Sequence, residues 1–116
     1  MTGMLILATE NATAKRLAPE EVAPIVQNGF VYTIGYSAYD DARKIRTTFI
    51  EATDMNTGRG LWKAPIYQTK YDPAMETDAQ DIFVTGFQPK GRKLLIENEH
   101  GRQFLLDLRT RKVQNL

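Results

Sequence analysis

Apolar and polar residues alternate with a period of two through most of the chain. Phe30-Val31-Tyr32-Thr33-Ile34-Gly35-Tyr36 follows the turn dipeptide Asn28-Gly29 and is dense in aromatic and β-branched side chains, which predicts a strand. Ile45 to Thr53 predicts a second strand, with Ile45, Thr47 and Phe49 on one face and Thr48 and Ile50 on the other. Gly60 to Gln68 predicts a third, and Pro65 marks it as a sheet edge or a bulge, because proline cannot donate to a ladder. Asp81 to Phe87, Arg92 to Glu97 and Arg102 to Leu108 complete about six strands, separated by Gln88-Pro89-Lys90-Gly91 and Glu99-His100-Gly101. Short connections imply antiparallel meanders. The expected fold is all-β, a small antiparallel sandwich or a partly open barrel.

The alternation fails at two places. Residues 1–27 read as an N-terminal arm, and residues 28–116 as a single β domain. Within the arm, Pro19 is suited to a first helical turn, while Pro24 limits any helix there to one or two turns. Residues 72–80 predict a short helix or an acidic loop, with Asp72 as N-cap and Pro73 as first helical residue. This acidic crossover joins the two groups of strands.

One motif stands out. Ala52-Thr53-Asp54-Met55-Asn56-Thr57-Gly58-Arg59-Gly60-Leu61-Trp62 follows the pattern A-x-D-x-x-T-G-x-x-L-W, in which Asp accepts from turn amides, Gly takes positive φ, and Leu and Trp supply packing area. Asp107-Leu108-Arg109-Thr110-Arg111-Lys112-Val113 is a degenerate second copy, with Arg111 in the glycine position. The pattern resembles the blade ends of pyrroloquinoline-quinone-type β-propellers. A propeller needs about four or more blades of four strands, and one blade of the related WD type takes roughly 40–45 residues. A chain of 116 residues cannot close one alone. The resemblance therefore covers hairpins and implies no quinone cofactor. Trp62 to Pro73, and then Glu76 to Thr85 with the C-terminal strand pair, are similar to a group of small bacterial proteins without an assigned activity. That likeness implies no catalytic residue.

Charge changes the picture little. Fifteen Lys and Arg against fourteen Asp and Glu give a net charge of +1, so no global field gathers nucleic acid or anionic lipid. The distribution is uneven: Asp72, Glu76, Asp78 and Asp81 precede a C-terminal third with seven Lys and Arg against three acids. The simplest expectation is that the two pair with each other, the acidic loop against the Arg109 and Arg111 region. Cysteine is absent, which excludes disulfides and thiolate chemistry. No apolar run approaches the roughly 20 residues that span a bilayer. A cytoplasmic location is expected if the N-terminus is native, and a periplasmic one if a signal peptide has been removed.

Candidate chemistry is sparse. His100 is the single histidine and sits in a turn. Asp72, Glu76, Asp78 and Asp81 are weak candidates for a hard cation, without the EF-hand spacing. Tyr32 and Tyr36 share one strand face with Phe30 and Ile34, an aromatic stripe that is either the core face or a contact surface. Arg43, Lys44 and Arg46 follow in the chain. Tyr32, Tyr36, Arg46 and Trp62 are thus the candidate binding residues. The leading expectation is a non-enzymatic interaction or structural module with a protein partner or a second copy of itself, for example as a homodimer. The alternatives are a β barrel that binds a small ligand or single-stranded nucleic acid, and a hydrolase with paired carboxylates. No cofactor is expected.

Overall fold

The computed structural model describes residues 18–116. Residues 1–17, the first part of the expected N-terminal arm, lie outside the described residues. Eight strands and one helical turn follow in order: β1 Ile25–Gln27, β2 Phe30–Tyr36, β3 Ile45–Asp54, β4 Gly60–Lys70, α1 Thr77–Gln80, β5 Val84–Lys90, β6 Lys93–Asn98, β7 Gln103–Asp107 and β8 Val113–Asn115. They form two antiparallel four-stranded meanders, β1-β2-β3-β4 and β5-β6-β7-β8. Of the two expected architectures, the sandwich is the one formed.

Six of these strands coincide with the alternating windows. The other two, β1 and β8, have three residues each, too short for a period of two to register. β1 lies at the end of the stretch read as an arm, and the Asn28-Gly29 turn folds it onto β2 with Ile25 opposite Tyr32. Residues 18–24 form no helix. Two prolines five positions apart leave space for barely one turn, and Val22 packs on the core instead. In the crossover, Asp72 heads a turn rather than a helix: its carboxylate accepts from Ala74 N at 2.9 Å. The single helical turn begins later, at Thr77, behind Glu76.

The core draws on both sheets. Ile50, Ala52 and Ala64 of the first face Leu94, Ile96, Phe104 and Leu106 of the second, all nearly or completely buried. Two irregularities bend β4, at Thr48/Phe49 and Ala52/Thr53 on its partner, the first of them beside Pro65. On the outer face Phe49 lies opposite Gly35 and covers it, with the Lys63 ammonium 4.7 Å above the ring.

One turn chemistry occurs three times. Asp54 Oδ1 accepts from the amides of Asn56 (2.8 Å) and Thr57 (3.1 Å), while its carbonyl accepts from Gly58 and its amide donates to Arg59. Asp107 repeats this with Arg109, Thr110, Arg111 and Lys112. Asp40 repeats it with Ala42, Arg43, Lys44 and Ile45. The fourth residue after each aspartate is left-handed: Lys44 (φ 58°), Gly58 (φ 73°) and Arg111 (φ 61°). The Asp40 copy lacks the Thr-Gly pair and so escapes the motif. Each sheet also runs through the same connections: a two-residue turn, a longer polar loop, then an Asp-headed turn. One meander repeats the hairpin plan of the other.

Candidate functional site

The register places Tyr32, Tyr36, Arg46 and Trp62 on one face of the first sheet, as parity requires. That face is turned toward the second sheet. Tyr32 is 5% exposed and belongs to the core, with Phe30, Ile34 and Trp62 packed against it, whereas Tyr36 at the strand end is 37% exposed. The four residues also separate into two pairs. At one end Tyr32 packs on Trp62 (centroids 6.0 Å), whose ring carries the Arg111 guanidinium at 5.2 Å. At the other end Tyr36 meets Phe83 edge-on at 5.4 Å, and its hydroxyl accepts from Val84 N at 2.9 Å. Arg46 lies at this second end.

Around Arg46 the crossover is clamped shut. Arg46 Nη1 donates to Asp81 Oδ1 at 3.0 Å, and Tyr71 Oη donates to the same oxygen at 2.5 Å. The acidic segment is thus tied to Arg46, not to Arg109 or Arg111. Tyr39 stands edge-on to Tyr71 at 5.2 Å. Burial, reinforced by Asp81, pushes the Tyr71 phenol well above its ordinary value. Tyr67 donates to Ile82 O at 2.6 Å, and burial pushes it up to about 12. The Gln80 amide closes the loop by accepting from Asp72 N and donating to Asp72 O. Glu99 accepts from Phe83 N at 2.8 Å. Arg46 Nε is buried without a hydrogen-bond partner, beside a cavity of about 10 Å³ that no ligand fits. These polar groups serve one another.

The acidic candidates do not converge. Asp72 and Glu76 are exposed, Asp78 sits in the first turn of α1, and Asp81 belongs to the clamp. Among the described residues, no three of His, Cys, Asp or Glu are arranged to hold a metal ion.

Among the described residues, one long side of the sandwich remains open. β4 is an edge strand of eleven residues. Alternate residues of such an edge present N–H and C=O groups outward, with Pro65 removing one donor. Beside it, between the sheets, runs a cleft of about 300 Å³. Its floor is Tyr67 stacked on Phe104, centroids 5.2 Å apart and rings 15° from parallel. Gln68, Asn98, His100 and Arg102 wall it, and a shallower depression continues past His100 to Lys70. Arg102 lines the cleft, and Lys70, Asp81 and Glu99 line the depression; Asp81 is paired with Arg46, and Glu99 accepts from Phe83 N. Of the residues singled out in the sequence, His100 lines the cleft and Asp81 the depression, while Tyr32, Tyr36, Arg46 and Trp62 line neither. The signal that marks it is Pro65, which identifies the edge strand, together with the basic C-terminal third. No family model and no curated protein sequence matches the chain.

Proposed function

We propose that this protein is a non-enzymatic interaction module that takes an extended, acidic segment of a partner protein along the free edge of β4. The observation that carries the reading is an eleven-residue edge strand beside an open cleft walled by Arg102 and His100. Strand addition uses the backbone groups an edge leaves unpaired, and side-chain pockets beside it give selectivity. Each added hydrogen bond contributes about 0.5–1.5 kcal/mol net. Pairing along half of β4, less the cost of ordering the peptide, leaves an affinity in the micromolar range. Nucleic acid is the weaker candidate: Tyr32 is buried and packs on Trp62, and the overall charge is near neutral.

The test uses three probes: a β-forming peptide alternating Glu with Val, the same peptide with Lys for Glu, and a thymidine oligonucleotide of equal charge. The lone histidine, His100, reports on the cleft by imidazole proton NMR, and the lone tryptophan, Trp62, reports on β4 by fluorescence. Saturable binding of the Glu peptide alone, weakened by Arg102→Glu, is the expected result. Equal binding of both peptides, or preference for the oligonucleotide, overturns the proposal.

A further inference from the structure

We infer that the cleft beside β4 holds a pocket for a single carboxylate, taken between the side-chain NH2 of Asn98 and the guanidinium of Arg102. The inference rests on the strand-addition reading and adds that the partner is selected at one acidic position, not by acidity along its length. The β6–β7 turn builds the pocket. Asn98 is the last residue of β6, and its Oδ1 accepts from the backbone amides of His100 at 2.9 Å and Arg102 at 3.2 Å. Its own amide donates to Arg102 O, and its carbonyl accepts from Gly101 N at the left-handed position of the turn (φ 75°). With the side-chain oxygen occupied by the turn, the NH2 points the other way, and Asn98 lines the cleft. The residue is 4% exposed, and its Nδ2 has no hydrogen-bond partner among the described residues.

The other turns show what differs here. Asp40, Asp54 and Asp107 each hold two turn amides with a carboxylate. An aspartate at 98 would hold the amides of His100 and Arg102 equally well, but it would set a nearly buried negative charge in the cleft wall. Asparagine keeps both bonds and puts a donor where that charge would be. Arg102 leaves the same turn, lines the same cleft, and forms no ion pair among the described residues. Gln68 from β4 and Asn115 from β8 add carboxamides. Among the described residues no Asp or Glu lines the cleft; Glu99 borders the adjoining depression, where it accepts from Phe83 N. A nearly buried donor without an acceptor is satisfied by a ligand oxygen. The guanidinium adds charge and a planar fork that fits a carboxylate. One neutral donor and one positive charge match a monoanion. The cleft's volume of about 300 Å³ is at the small end for a ligand site and takes one acidic group with its alkyl stem.

The experiment titrates the full chain with ligands too short to add a strand, read by the side-chain NH2 resonances of Asn98. N-acetylglutamate α-amide carries a side-chain carboxylate, N-acetylvaline a terminal one, and N-acetylglutamine amide is the uncharged isostere. The better acid binds with a dissociation constant of about 1 mM, at least about tenfold more tightly than the isostere, and moves the Asn98 NH2 protons downfield. Tighter binding of the glutamate ligand assigns the pocket to a partner's side chain, and tighter binding of N-acetylvaline to a partner's chain end. Asn98→Asp keeps the turn's acceptor and lowers the acid's affinity at least about tenfold. Arg102→Gln, an exposed change, also lowers it about tenfold and keeps the test usable if Asn98→Asp does not fold. If the acids bind but the Glu-Val peptide gives no amide protection on β4, the strand-addition reading fails alone. If that peptide protects β4 but acid and isostere bind equally, the carboxylate pocket fails alone. An unmoved Asn98 NH2 signal at tens of millimolar acid, unchanged affinity in both variants, or tighter binding of inorganic phosphate than of either acid also overturns the pocket.

Discussion

Asp81→Ala tests the clamp that fixes the crossover. The Asp81 side chain is 12% exposed and accepts from both Arg46 and Tyr71. Removing it leaves a guanidinium 28% exposed without its counter-ion and a phenol, in a residue 5% exposed, without an acceptor. Breaking a fully buried pair costs about 3–5 kcal/mol, and an unsatisfied buried hydroxyl about 1–3 kcal/mol. Partial solvent access to Arg46 lowers the sum, so about 3 kcal/mol is expected. With a urea m-value of about 1.5 kcal/mol per molar, the midpoint falls by about 2 M. The melting temperature falls by about 10 °C. Arg46→Met combined with Asp81→Leu and Tyr71→Phe recovers most of the loss, since neither a charge nor the phenol is then stranded. Urea melts followed by Trp62 fluorescence measure all three proteins. An Asp81→Ala midpoint within about 0.3 M of the parent, equivalent to about 0.5 kcal/mol, refutes the reasoning.

Three further outcomes are expected. Lys44 occupies the left-handed position that Gly58 fills in the second copy of the Asp turn, so Lys44→Gly raises stability by about 0.5–1 kcal/mol in the same melts. A Cβ on Gly35 meets Phe49 ring atoms at 2.5 Å; Gly35→Ala displaces that ring from Lys63 and costs about 1 kcal/mol, with the Phe49 ring protons shifting in NMR. Tyr67 and Tyr71 are raised above their ordinary value of 10.0 by burial. The folded state then holds protons that the unfolded state has lost, so stability is full below pH 10 and declines as pH rises toward 12. Thermal melts between pH 9 and 12 show the decline, and Tyr67→Phe makes it shallower.

The fold was legible where side chains repeat every two residues. Six strands, the short turns and the edge position of β4 follow from alternation, Asn28-Gly29 and Pro65. Two strands of three residues carry too little pattern to be seen. The Asp54 and Asp107 turns were legible because Asp, Thr and a left-handed position recur at fixed offsets. The Asp40 turn has the same bonds without the threonine or glycine, so only its geometry shows it. The site was less legible. Parity put Tyr32 and Tyr36 on one face, yet parity does not say whether a second sheet covers that face. Asp81 is 35 residues from Arg46 and 10 from Tyr71, and no local pattern joins them. The cleft beside β4 arises from the meeting of two sheets, a long-range event.

The account's central claim is that a partner segment pairs with β4. Amide hydrogen exchange of the full chain, with and without the Glu-Val peptide, tests it at the atoms concerned. The account expects slowed exchange at outward-facing amides of β4 between Leu61 and Lys70, with β1 and β5 unchanged. Binding without any protection on β4, or protection confined to the β1 side, contradicts it.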